Sequence, residues 1–265
     1  QIPEGSTPIF TSNTTWTVPA GVTEISGIVV PSDSNSTSIG SLLSQTPSNN
    51  LGGKRVALAM STVTINGNKY IVVSGGRDNN NNRLFTVIYL DVNDPTSGWQ
   101  SFPDMPERRW QHDMSTVTIN GNAHIVVSGG ADNNGNRLST VIYLDVNNPT
   151  SGWQSFPDMP ERRRRHAMST ATINGNDYIV VSGGLNAGNS NNFSSVIYLD
   201  VNNPTSGWQT DFPDMPEVRY RHAMSTATIN GNEHIVVSGG KVDNSNTLSS
   251  VIYLDVNNPT SGWQT

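Results

Sequence analysis

The residues with the plainest chemical potential recur at one place in a repeat. Arg109 is followed three residues on by His112, Arg163 by His166 and Arg219 by His222, while Arg55 stands at the corresponding place with Leu58. Guanidinium groups set at the start of successive repeats could grip a carboxylate, a sulfate or an acidic sugar through paired hydrogen bonds. Glu107, Glu161 and Glu217 each lie two residues before one of these arginines. A Glu beside an Arg could move a proton at a sugar carbon, which keeps a sugar epimerase or mutarotase open as a function.

Other chemistries are less well supplied. The sequence has no cysteine, which removes disulfides, thiolate nucleophiles and Cys-ligated zinc together. The runs from Asp78 to Asn82, Asp132 to Asn136 and Asp243 to Asn246 offer alternate oxygen ligands, but lack the closing bidentate carboxylate of a calcium loop. Asn-rich turns are the commoner explanation for such runs, because Asn accepts the left-handed backbone conformation and bonds its own backbone. No metal or other cofactor is expected. Arg162–Arg165 is the most basic stretch, yet the chain carries a net charge of −6, so nucleic acid is not expected as a partner. No apolar run approaches the roughly 20 residues that span a bilayer, and the start does not read as a signal peptide, so a soluble chain without membrane insertion is expected.

These residues need a frame, and the frame is repetitive. The segment STVTINGN at 61 returns at 115 and, as STATINGN, at 169 and 225, with Tyr89, Tyr143, Tyr198 and Tyr253 and then Trp99, Trp153, Trp208 and Trp263 keeping step. Spacings near 50 residues point to propellers or solenoids. Each repeat reads as four strands. In the third, a strand from His166 turns through Asn174-Gly175, and this dipeptide suits a two-residue hairpin whose central residues both take positive φ. Asp177–Gly184 is a continuous apolar run ending in paired glycines, as expected of a strand covered on both faces. A third strand follows from Ser194, and a fourth runs from Trp208 to about Phe212, where Pro213 and Pro216 stop the pairing.

A diglycine after an apolar strand, a Tyr, a Trp, and then Met-Pro followed by Arg-x-x-His together resemble the kelch repeat, across residues 55–265. The resemblance implies an all-β kelch-type β-propeller with four regular blades, 55–108, 109–162, 163–218 and 219–265. It implies that each blade buries its Tyr and Trp, and that ligands meet the face bearing the loops between blades and between the second and third strands. It also implies a second role for the recurrent Arg and His, as ties between adjacent blades. Copper oxidases among kelch proteins need a cysteine crosslinked to tyrosine, which this chain cannot supply. Residues 1–54 are expected to form either a degenerate fifth blade, in which GIVVPSD at 27–33 stands for YIVVSGG, or a separate assembly arm.

Connectivity sorts the charge. All but Lys69 of the 15 Lys and Arg fall with the loops of one face, whereas the opposite turns carry Glu24, Asp91, Asp94, Asp145, Asp177, Asp200, Glu233 and Asp255. Unlike faces could steer a charged ligand or stack copies head to tail. Nearly identical blades argue for a scaffold over an active site, which in a propeller draws on residues that one blade has and the others lack. The expectation is a non-catalytic, secreted or cell-surface scaffold that self-associates or binds an anionic glycan or a protein. The candidate ligand residues are Arg55, Arg109, Arg163, Arg219, His112, His166 and His222.

Overall fold

A computed structural model describes residues 51, 53–186 and 192–265, all within the compact unit Ser32–Thr265. The expected fifth blade or arm, 1–54, lies outside the described residues except for 51, 53 and 54. Four blades follow one another. Blade 1 holds β1 (Ala59–Ile65), β2 (Asn68–Ser74), β3 (Val87–Asp91) and β4 (Gln100–Phe102), and blade 2 holds β5 (Asp113–Ile119), β6 (Asn122–Ser128), β7 (Val141–Asp145) and β8 (Gln154–Phe156). Blade 3 holds β9 (Ala167–Ile173), β10 (Asn176–Ser182) and β11 (Val196–Asp200), and blade 4 holds β12 (Ala223–Ile229), β13 (Asn232–Ser238) and β14 (Val251–Asp255). Every sheet is an antiparallel meander in chain order.

Local sequence accounts for each turn. Asn174 and Gly175 take φ of 50° and 83°, and the other three Asn-Gly pairs do the same, the signature of the two-residue hairpin that matches strand twist. After the third strand, Pro-Thr-Ser forms one 3-10 turn per blade, closed by a glycine at positive φ, as at Gly152 (75°). That turn brings Trp153 to the start of β8.

The fourth strand expected from Trp208 is reduced to a single bridge, Tyr198 with Gln209. Blade 2 reads Gln154-Ser155-Phe156 here, whereas blade 3 reads Gln209-Thr210-Asp211-Phe212. The longer segment cannot keep the three-residue register of Val141 with Phe156, Ile142 with Ser155 and Tyr143 with Gln154. Phe212 is still buried, and Asp211 takes over as acceptor of the Tyr198 hydroxyl at 2.6 Å, the role Gln154 has toward Tyr143.

The core lies between blades. Ile125 and Val127 of β6 pack toward blade 1, against Val72, Val87 and Phe102. Val126, between them, packs toward blade 3, against Ile179, Val181 and Ile197. Successive side chains of a strand point to opposite faces, so a middle strand with apolar residues at every position is a strand with a neighbour on each side. The aromatic landmarks are less uniformly buried than expected: Tyr198 is buried, whereas Tyr143, Trp153 and Trp208 are half-buried at the edges of these clusters. Their polar tips explain the difference, since each indole nitrogen reaches a carbonyl of the preceding blade, Trp153 to Pro103 and Trp208 to Pro157, both at 2.9 Å.

Candidate binding face and channel mouth

The recurrent arginines are interior groups. Arg109, Arg163 and Arg219 are at most 2% exposed. Each main chain belongs to the segment that closes one blade, and each side chain reaches into the next. Arg163 N donates to Leu138 O of blade 2, while its Nη1 donates to Gly183 O and Ser195 O and its Nη2 to Ser195 Oγ, all in blade 3. Arg109 does the same toward Gly129 O and Thr140, and also meets Glu107 at 2.6 Å. Burial lowers the Arg109 and Arg163 guanidiniums to about 10, against the opposing pull of Glu107 and Glu161 respectively. Arg55 is half-buried and reaches Gly75 O at 3.5 Å.

The histidines complete the seam. His112, His166 and His222 share hydrogen bonds through Nε2 with Ser74, Ser128 and Ser182 of the preceding blade, each at 2.8 Å. Burial, reinforced by the neighbouring arginine, lowers all three imidazoles to about 3, so they are neutral. Of the two roles weighed for the Arg and His set, this geometry is that of blade ties. Glu107 is engaged by Arg109 and Thr140, and Glu217 lies 3.9 Å from Arg219. In the Asn-rich loops both carboxylate oxygens of Asp78 accept from Asn82, and those of Asp132 and Asp243 accept from Asn136 and Asn246, which makes them closed turns.

Two residues after each tie arginine the chain reaches the channel. Ala57, Gln111, Arg165 and Arg221 all have φ of 54–56°. Gln111 N donates to Ala57 O, Arg165 N to Gln111 O and Arg221 N to Arg165 O, at 2.8–2.9 Å. This main-chain relay crosses the four described blades at the channel mouth. The cationic groups there are therefore Arg165 and Arg221, one register away from the arginines singled out by recurrence. Below them a cavity of about 330 Å³ is lined by inner-strand residues including Ser61, Asp113, Ser115 and Ser169. At the opposite end a cavity of about 490 Å³ is ringed by Thr62, Thr116, Thr170 and Thr226, with Asp177 and Glu233 at its side.

Asp113 breaks the symmetry. Blades 1, 3 and 4 have Ala59, Ala167 and Ala223 at its position. Its carboxylate accepts from Met114 N at 2.8 Å and from Met168 N of blade 3 at 2.7 Å, and burial nevertheless pushes it up to about 7. Comparing the repeats position by position would have found it, since it is a single charged residue at an otherwise apolar place.

Four such blades about one channel define a β-propeller with kelch-type blades. The family model of the KLHDC2/KLHL20/DRC7 Kelch-repeats domain matches residues 59–265, and the chain belongs to the kelch-repeat family. It is 29% identical over 174 residues to Adagio-like protein 1 of Oryza sativa subsp. japonica, covering 64% of this chain and 26% of that protein. Against Adagio protein 3 of Arabidopsis thaliana it is 27% identical over 215 residues, covering 76% of this chain and 32% of the relative. The chain thus spans less than a third of the length of these relatives. As a kelch propeller it is a scaffold for protein binding. No described helix is long and apolar enough to cross a membrane.

Proposed function

We propose that the chain is a non-catalytic scaffold that engages its partner through the face bearing the loops between blades, in a secreted or cell-surface setting. One observation carries this reading. The recurrent polar residues are used up inside the seams, while partly exposed residues at equivalent places on the loop face differ from blade to blade: Val56, Trp110 and Arg164 in one set, where Tyr220 of blade 4 is buried, and Arg77 and Lys241 in the set bridged to it, where Ala131 and Leu185 are buried. The opposite face repeats Asn-Gly-Asn and Pro-Thr-Ser-Gly almost unchanged. Recognition needs a surface that is not the same in every direction, and this face supplies it. The test is a photo-crosslinking side chain placed at Asn134, exposed on the loop face, or at Asn147, exposed on the turn face. Adducts formed in native material from position 134 and not from 147 support the proposal; equal adducts from both remove it.

Self-association has an observation of its own. Val251 is 51% exposed, whereas Val87, Val141 and Val196 at the same place in the other blades are at most 1% exposed. An apolar sheet flank of this kind is suited to receive a further blade-like surface. Sedimentation of the intact chain and of Val251→Asp tests it: assembly in the first and monomers in the second support association through this flank, and equal behaviour excludes it.

A further inference from the structure

The channel mouth holds more positive charge than the fold can use. Arg164 and Arg165 come from blade 3, Arg221 from blade 4 and Arg137 from the loop of blade 2 that bridges Ala131. The main-chain relay brings Arg165 and Arg221 side by side, with Arg221 N on Arg165 O at 2.9 Å. Gln111, the preceding residue of the relay, accepts from Arg164 Nη1 through Oε1 at 3.3 Å, which places the Arg164 guanidinium at the same rim. None of the four arginines forms an ion pair with a carboxylate among the described residues. The Nε atoms of Arg137, Arg164 and Arg165 are buried without a hydrogen-bond acceptor, as are those of the tie arginines Arg109, Arg163 and Arg219. The two sets differ at the terminal nitrogens, which in the ties donate to the next blade and at the mouth make only the Arg164 bond to Gln111 among the described residues.

Buried guanidinium N–H groups without acceptors are costly, and like charges held together in a half-buried rim add to that cost. Burial first, then the charges of Arg221 and Arg164, lowers Arg165 to about 10. Elsewhere the chain shows how it satisfies an arginine that serves the fold: Arg163 has three hydrogen bonds and lies over the Phe193 ring at 4.2 Å. The mouth arginines have no such set. Nor is the charge a requirement of the backbone, because Gln111 and Ala57 take the same conformation in blades 2 and 1.

We propose that Arg165 and Arg221, supported by Arg164 and Arg137, form a binding site for a single oxyanion group, a carboxylate, sulfate or phosphate, either free or carried on the partner that meets the loop face. Guanidinium groups from adjacent blades can each offer paired N–H donors to such a group, and the anion supplies the acceptors and the negative charge that the rim lacks. The proposal deepens the loop-face reading and rests on it for the biological partner, but the site itself can be tested alone.

The experiment is calorimetric titration of the intact chain with sodium sulfate, phosphate and acetate at matched ionic strength. It compares the wild type with Arg165→Gln/Arg221→Gln and with Arg162→Gln. The double substitution copies the residue that blade 2 already carries in this conformation, so the fold accommodates it. Arg162 is exposed on the same face and outside the relay. Saturable binding of at least one anion, weakened about tenfold or more by the double substitution and unchanged by Arg162→Gln, is expected. Tighter sulfate or phosphate assigns a tetrahedral group, and tighter acetate a carboxylate. No saturable heat, equal binding by all three proteins, or an effect that follows ionic strength alone overturns the site. Crosslinking from position 134 is an independent readout, so failure of the anion site and failure of the loop-face reading are distinguishable.

Discussion

Ser128 Oγ and His166 Nε2 lie 2.8 Å apart, the first at the end of β6 and the second just before β9. The bond joins blade 2 to blade 3 beside the Arg163 carbonyl, which itself accepts from Gly130 N at 2.8 Å. The same pair of contacts joins blade 1 to blade 2 and blade 3 to blade 4, through His112 with Gly76 and His222 with Gly184. Kelch blades here are held by a buried polar seam as much as by their apolar faces.

Acid should loosen this seam. The three histidines titrate near 3 in the fold and near 6.5 when unfolded, so the unfolded chain binds more protons between those values and stability falls as pH drops through that window. Asp113, raised to about 7, works in the opposite direction, stabilising as pH falls from about 7 toward 4. The net loss from pH 7 to 5.5 should be about 2 kcal/mol, and Asp113→Ala should roughly double it. Denaturant melts of both proteins at the two pH values measure this; a variant with the wild-type slope contradicts the assignment.

The seam should also be intolerant of a single methyl group. A Cβ at Gly129 (φ +54°) would stand 2.5 Å from Arg163 O and 2.9 Å from His166 Cε1, whereas one at Gly239 (φ +60°) would meet Leu248 O at 3.5 Å. Both positions carry the same backbone strain, so it cancels in the comparison. Gly129→Ala is expected to destabilise by about 1–3 kcal/mol more than Gly239→Ala. Equal losses in urea melts would show that the seam yields.

Arg163→Lys should cost about 2–4 kcal/mol, because a lysine ammonium cannot reproduce the planar set of donors to Gly183 O, Ser195 O and Ser195 Oγ and remains a buried charge. Arg162→Lys, one residue earlier and exposed, should lie within about 0.5 kcal/mol of wild type. Thermal melts of the pair separate a tie from a surface charge.

At the outer rim, Trp153→Ala should cost about 2–3 kcal/mol, at the low end for a large aromatic since the ring is half-buried. Trp153→Phe keeps most of the apolar contact but loses the bond to Pro103 O, and about 1 kcal/mol should go with it. A phenylalanine variant as unstable as the alanine one would place the whole effect in the hydrogen bond.

Much of the blade was legible from residue order because the signals are local. Asn174-Gly175 dictates a hairpin through the φ values its residues tolerate, and Ile179, Val180 and Val181 dictate burial on both sides through the two-residue period of a strand. The loss of β-pairing beyond Gln209 required counting the one extra residue, Thr210-Asp211 in place of Ser155, against a three-residue register. The roles of the arginines were out of reach for a different reason. Arg163 and Arg165 are chemically identical and two residues apart, and only the direction of the main chain across the seam decides that one enters the interior and the other meets the channel. Recurrence drew attention to Arg163, yet recurrence accompanies what every seam needs, and the residues that distinguish one blade from another were the better guide to the mouth.

The relay through Ala57, Gln111, Arg165 and Arg221 is built from amide nitrogens and carbonyl oxygens, so its geometry does not depend on which side chains it carries. One residue per blade can be exchanged among those that accept a φ near 56° without disturbing its neighbours. The rim of the channel is in effect a set of interchangeable sockets in a rigid collar, and its preference for a ligand can change in single steps while the fold stays the same.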